Sequence, residues 1–313
     1  MKKAASVFLR IGITVLLLVF LFSRTNIPAF LSVVRQAHKG RLAAAFTLFF
    51  LLNIVVMLRW LFLVRARGYK VGAGRLFSAY LSGLFFNLVL PSTIGGDAVR
   101  TLDIAGHTGE HSSAILGTVV MDRVSGFFGL FTVLIFSLLF GLSRFHDPRI
   151  LAAAGALLVL VFFMCGIMFS RRFFHACFGW IPFARLREYL CRVHAVTWAY
   201  RRERAAAVSA WLISVSVHTG LSFLFFLTAA ALGQTPPFLY FLILVPAVTA
   251  FSSLPLSIGG LGLRENATVA VFAHVGMSAE AALAVSLLVS AQMFLMGLLG
   301  GVSYVATLYR RRL

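Results

Sequence analysis

Residues 91–100 read Pro-Ser-Thr-Ile-Gly-Gly-Asp-Ala-Val-Arg, and residues 255–264 read Pro-Leu-Ser-Ile-Gly-Gly-Leu-Gly-Leu-Arg. Both fit Pro-x-(Ser/Thr)-Ile-Gly-Gly-x-x-x-Arg, at a constant offset of 164. One copy alone would read as a helix-ending turn; two argue for a shared structural job. Proline lacks an N–H and clashes with the preceding turn, so Pro91 and Pro255 are expected to end the incoming helices. The pairs Gly95-Gly96 and Gly259-Gly260 permit backbone shapes closed to other residues. Ser92, Thr93 and Ser257 are natural caps for a returning helix. Each copy is therefore the expected tip of a helical hairpin, its free amides and positive dipole end facing an anion.

The surroundings of the two copies are those of a membrane protein. Of 313 residues, 60% are hydrophobic and 12% charged, and the mean hydropathy is +0.96. Soluble domains carry about 25% charged residues, so a soluble enzyme, a disordered chain and a fibrous repeat are excluded. The formal net charge of +19 would suit a nucleic-acid binder, but positive-inside bias accounts for it more simply; no nucleic-acid partner is expected. Cys165, Cys177 and Cys191 show no Cys-x-x-Cys spacing and imply neither a disulfide framework nor a zinc site.

Runs of about 20 apolar residues mark the spans. They fall at 5–23, 42–64 (with Arg59 near one end), 118–142, 150–170, 206–232 and 280–308, with shorter apolar stretches before each glycine pair. The first run follows Lys2 and Lys3 but lacks a small-x-small cleavage site, so an uncleaved anchor is expected. Arginine and lysine place both termini in the cytosol: 18 of the 28 basic residues fall in four regions, at the N-terminus, at 65–75, at 171–204 and at 310–312. Six more fall in external loops, four of them in the first. The segment 171–204 interleaves eight Arg with Phe173, Phe174, Phe178, Trp180, Phe183 and Trp198. That pattern suits a helix lying on an anionic leaflet; an ordinary positive-inside loop is the alternative.

Following the chain through these spans gives the hairpins opposite senses. The first, 76–112, enters from the cytosol, and the second, 237–276, from outside. The expected fold is an all-α polytopic membrane protein. One transmembrane domain, 1–313, holds about six spans and two re-entrant hairpins in an inverted repeat, 42–142 and 206–308. Such repeats place substrate near the bilayer midplane.

Charges inside the apolar segments are few. Asp97, Arg100, Arg264 and Glu265 flank the tips, and Asp122-Arg123 lies early in its span. A charge near the bilayer centre costs about 2.5–3.5 kcal/mol, so these residues are expected to pair or to meet substrate. Arg100 and Arg264 are candidates for binding a lipid phosphate, since arginine offers a fixed fork of donors. Asp97 and Glu265 would orient them or exchange protons. The structural alternative pairs Asp97 with Arg264 and Arg100 with Glu265. His107-Thr-Gly-Glu110-His111 fits the inverted zinc-protease pattern. Gly106 and Gly109 interrupt the helix that such a site needs, and no metal or other cofactor is expected. His218 and His274, in apolar stretches, read as core histidines.

The chain resembles the lysylphosphatidylglycerol synthase transmembrane-region family, also called the flippase-like domain family. The resemblance rests on Pro91 to Arg100, on Asp122-Arg123 followed by Ser125-Gly126, and on Pro255 to Glu265. It implies a bacterial inner-membrane protein handling lipid. In larger members this domain moves an aminoacylated phospholipid between leaflets, and a separate soluble domain makes that lipid. Here the longest polar stretch, 171–204, leaves no room for such a domain, so a lysyltransferase activity is not expected. The expected function is translocation of a lipid with an anionic headgroup, with a lipid-synthesising enzyme as a candidate partner. The alternatives are an embedded enzyme or an accessory protein acting on headgroups in glycolipid, hopanoid or aminoacyl-lipid synthesis.

Overall fold

The computed structural model describes residues 2–90, 93–141, 159, 163, 166, 170–180, 187–188, 191, 194–195, 198–200, 202–253 and 257–310. Pro91, Ser92, Pro255 and most of the span expected at 150–170 lie outside them. The architecture is all-α, with no strand among the described residues. The helices are α1 (Lys2–Ser23), α2 (Ile27–Arg35), α3 (Lys39–Ala66), α4 (Ala73–Val89), α5 (Thr93–Thr108), α6 (Ser112–Gly141), α7 (Arg171–Phe178), α8 (Arg204–Ala231), α9 (Phe238–Ser252), α10 (Leu263–Phe272) and α11 (Ala279–Arg310). Short 3-10 turns stand at Ile258–Gly260 and Ala273–Val275.

Among them α3, α6, α8 and α11 are each long and apolar enough to cross a bilayer. A bent pair, Gly12–Ser23 with Ile27–Arg35, turns through 88°. The segment between the first two apolar runs contains α2, capped by Asn26, whose Oδ1 accepts the Ala29 N–H at 3.2 Å. Val15, Leu16 and Val19 on α1, Phe136 and Leu139 on α6, and Leu298, Val302 and Val305 on α11 are all exposed. Apolar surface on that scale is stable only against lipid or another protein.

The chain forms two compact units. One comprises Met1–Ile54, Phe77–Arg100 and His218–Leu313; the other comprises Val55–Leu76 and Thr101–Val217. Each draws on both sequence repeats.

In the first unit, α4 lies against α11 through glycine. A Cβ at Gly300 would overlap the Leu81 carbonyl, and one at Gly301 would come 2.9 Å from the Phe85 ring. Small residues let membrane helices approach closely where no hydrophobic driving force exists between them. Ser78 Oγ continues the seam, bonding Ser303 Oγ at 3.0 Å and Thr307 Oγ1 at 2.9 Å. Tyr80 donates to Asn53 Oδ1 at 2.9 Å, and Asn53 Nδ2 to the Phe49 carbonyl at 2.8 Å, so a buried amide on α3 is satisfied on both sides. Phenylalanines tie α8, α9 and α10 together, with Phe226–Phe241 centroids 5.5 Å apart and Phe241–Phe272 5.1 Å.

In the second unit the governing contact is ionic. Arg59 Nε donates to Asp122 Oδ1 at 2.8 Å and Nη1 to Ser214 Oγ at 2.8 Å, with all three residues buried. Gly126 and Gly129 leave room for it: a Cβ at Gly126 would stand 3.3 Å from Arg59 Nη1, and one at Gly129 would strike Ser214. Trp60 Nε1 donates to Thr118 Oγ1 at 3.1 Å one turn away. Because α6 starts at Ser112, Asp122 sits roughly 15 Å along it. Arg123, about 100° further round the helix, is exposed.

Removing one partner of a buried pair strands the other charge, at a cost of about 3–5 kcal/mol, whereas replacing both with apolar residues is often close to neutral. Asp122→Ala should therefore lower the thermal transition of the detergent-purified protein far more than Arg59→Met combined with Asp122→Leu. Equal losses would show that the pair is not what holds α3 to α6.

Candidate functional site

Both expected hairpins form, and both tips belong to the first unit. The two copies of the motif build their tips differently.

In the first hairpin α5 folds back along α4. Gly95 and Gly96 are ordinary helical residues near the start of α5, so their use is not the unusual backbone expected of them. They allow close approach instead. A Cβ at Gly95 would run into Leu90, and one at Gly96 into the Gly83 carbonyl and the Asn87 amide. Asn87 Oδ1 accepts the Gly96 N–H at 3.2 Å, satisfying from α4 a first-turn amide that has no partner within α5. Arg100 reaches back to Asp97 on its own helix, Nη2 to Oδ1 at 3.0 Å, and lies across Gly83, whose Cβ would be 3.4 Å from Arg100 Cδ. Arg100 is buried at 4% exposure. At the base of the hairpin Arg75 pairs with Asp103 at 2.6 Å.

The second tip uses backbone freedom. Gly259 (φ +60), Gly260 (φ +79) and Gly262 (φ +79) stand in the left-handed region. Side chains there would be strained, and a Cβ at Gly262 would also come 2.8 Å from Leu17 Cβ on α1. The 3-10 turn delays the returning helix until Leu263, so Ser257 does not cap α10 as expected; Gly262 is the N-cap. Ser257 Oγ is buried and has no hydrogen-bond partner among the described residues.

Glu265 organises this tip. It is fully buried and accepts the Gly262 N–H at 2.6 Å, the Ser290 hydroxyl at 2.7 Å and the Ser286 hydroxyl at 3.4 Å. Reaching back from the third helical position to the N-cap amide is the carboxylate half of a capping box. Arg264 Nη1 donates to the same Ser290 Oγ at 3.0 Å, and Nη2 to the Gly259 carbonyl at 3.1 Å. Ser290 therefore bridges the two charges, and the guanidinium keeps three further N–H groups. Asn266 Nδ2 donates to the Leu17 carbonyl at 3.2 Å, fastening α1 to the tip.

The cross-pairing of Asp97 with Arg264 and Arg100 with Glu265 is thus not what forms. Asp97 engages the arginine three residues on, Arg264 bonds to neutral oxygens, and Glu265 bonds to an amide and two hydroxyls. Asp122 lies with Arg59 in the other unit, not with the tip residues. Ser92 is outside the described residues, and Thr93 begins α5. His107, Glu110 and His111 are exposed and separated by Gly109 (φ +73), which ends α5. No group of three metal-binding side chains occurs among the described residues. His274 is exposed in its 3-10 turn rather than in the core.

A model of the family "Lysylphosphatidylglycerol synthase TM region" matches residues 7–301, nearly the whole chain. The chain belongs to that family. A UPF0104 membrane protein of Methanothermobacter thermautotrophicus is similar to it, 23% identical over 264 residues that cover 78% of each chain. In this member of the lysylphosphatidylglycerol synthase transmembrane-region family, sequence reasoning missed Asn87, Ser286, Ser290 and Asn266. The available signal was polarity out of place: an amide between Phe86 and Leu88, and two serines four residues apart in the apolar run of α11.

Leaving a buried acceptor short of its donor costs about 1–3 kcal/mol. Ser290→Ala should destabilise the purified protein by that order. Ser286→Ala, which removes a 3.4 Å contact, should cost clearly less. Equal thermal shifts for the two variants would contradict the bridging role of Ser290.

Proposed function

We propose that the chain is a lipid translocator of a bacterial inner membrane, moving an anionic, phosphate-bearing lipid between leaflets, with both termini in the cytosol. The observation that carries this reading is Arg264. A guanidinium within an apolar hairpin tip is costly, and among the described residues this one hydrogen-bonds only neutral oxygens, Ser290 Oγ and the Gly259 carbonyl, with Glu265 reaching it through Ser290. Ser257 in the same tip adds a buried hydroxyl without a partner among the described residues. A phosphate would complete both. The second tip, rather than Arg100 with its carboxylate partner, is then the primary headgroup site, and the acyl tails stay in the bilayer.

Support for alternating access comes from the helix directions. The order long helix, hairpin, long helix occurs twice. Within the first unit α3 and α8, the leading helices of the two sets, run antiparallel: Leu52 meets Gly220, and Arg41 Nη1 bonds the Ala230 carbonyl at 2.7 Å. That is the relation an inverted repeat requires. Rocking one repeat against the other would open the site to each leaflet in turn. Glu265 holds Arg264 in place through Ser290.

The test uses proteoliposomes holding a fluorescent phosphatidylglycerol analogue, with dithionite to report its outer-leaflet fraction. Hydrogen bonds to charged groups contribute about 1.5–3 kcal/mol, so Arg264→Ala should slow exchange roughly tenfold or more, and Arg264→Lys by less. Unchanged exchange in Arg264→Ala would remove this arginine from the mechanism. A chemically altered lipid, detected by mass spectrometry, would favour the enzyme reading.

A further inference from the structure

The short helix α7 has no part in that mechanism, and its surface is unusual. Two of its rings are held: Phe173 meets Phe163 edge-on with centroids 5.5 Å apart, and Phe174 is buried. Ser170 Oγ caps it by accepting the Phe173 N–H at 3.2 Å. Phe174, 5% exposed, stacks on His194 with centroids 4.2 Å apart. The other side carries Arg172, His175 and Ala176, all exposed, with Phe173 at 37% and Trp180 at 77% exposure. Gly179 keeps helical angles (φ −65, ψ −25), so the seven-residue spacing puts Phe173 and Trp180 on one side.

A chain of contacts within the second unit fixes where this face lies. His194 stacks in turn on Trp198 at 5.9 Å. Two residues on, Tyr200 donates its hydroxyl to the Leu63 carbonyl at 3.0 Å, in the last turn of α3. Burial pushes the Tyr200 phenol up from its ordinary value, which keeps it a donor. The Arg67 guanidinium lies 5.8 Å from the Tyr200 ring. Helix α8 begins four residues after Tyr200. Since α3 and α8 are long enough to span, the end of one and the start of the other mark a membrane boundary, and α7 is tied to it.

We propose that α7 is an interfacial helix that docks on the anionic lipid leaflet, seating Trp180 among the headgroups with Arg172 beside it. Charge complementarity selects this occupant. The segment 171–204 holds eight Arg against two Glu, and cations near an anionic lipid surface are drawn to it. The first turn of α7 contains exposed Arg172 and no acidic residue, where the helix dipole disfavours cations; lipid phosphates at that surface would relieve this. Trp is the residue most at home there, with its ring in the boundary layer and its N–H satisfied. Trp180 Nε1 already donates to the Cys177 carbonyl at 2.6 Å, so the ring can enter the layer without stranding a donor.

The experiment reconstitutes the full chain in vesicles of phosphatidylcholine alone, or with phosphatidylglycerol as about a third of the lipid. Trp180 is read as the fluorescence lost in Trp180→Phe, whose thermal transition should match wild type. Two quenchers are compared: a lipid spin-labelled near the headgroup, and aqueous acrylamide. The Trp180 signal should be quenched by the lipid label roughly twofold more strongly in the phosphatidylglycerol vesicles, and Arg172→Glu should abolish that difference. Free quenching by acrylamide in both vesicle types would overturn the proposal, because the face would then be in water. Equal lipid quenching in both types would overturn it too, because the charge would play no part.

Discussion

An apolar helix tip must satisfy its free amides and its charges from within, and the second hairpin contains both. Its chain leaves α9, turns through three glycines in the left-handed region and presents Arg264 and Glu265 side by side. The structure meets this constraint with one carboxylate. Glu265 takes the free amide of Gly262, draws the α11 hydroxyls onto the tip, and through Ser290 steadies the neighbouring guanidinium. Without that set of bonds the irregular tip, its fastening to α1 through Asn266 and the position of Arg264 all lose their support.

The same ten-residue motif reaches a comparable end at the first hairpin by other means. There the glycines stay helical and act by their lack of a side chain, letting α5 settle on Gly83 and Asn87. The arginine is neutralised within its own helix by Asp97. One tip is therefore closed and internally paired, and the other keeps an arginine matched to neutral oxygens. On the proposed function, this asymmetry favours the second tip for the headgroup. It also explains why the second copy carries an extra glycine, Gly262, where the first has Ala98.

Much of the fold is legible from residue spacing. The runs at 42–64, 118–142, 206–232 and 280–308 become α3, α6, α8 and α11, each helix end falling within six residues of the run's. The hairpins fall where the prolines and glycine pairs place them. What spacing does not reveal is partnership. Arg59 and Asp122 are 63 positions apart, and nothing local marks them as a pair; only the packing of α3 against α6 joins them. Ser286 and Ser290 look like tolerated small residues until α10 brings a carboxylate to them. The exchange of partners at Asp97 has a local cause, since residues three apart on a helix are neighbours.

Alternating access at the proposed site requires the hairpins to enter the membrane from opposite sides. The most direct measurement is sided labelling of single cysteines at their bases, Glu110→Cys after the first and His274→Cys after the second, in a chain whose Cys165, Cys177 and Cys191 are serine. Both base positions are exposed. A membrane-impermeant maleimide should label Glu110→Cys only from the cytosolic side and His274→Cys only from the external side. Labelling of both from a single compartment would contradict the inverted arrangement, and alternating access built on it would fail.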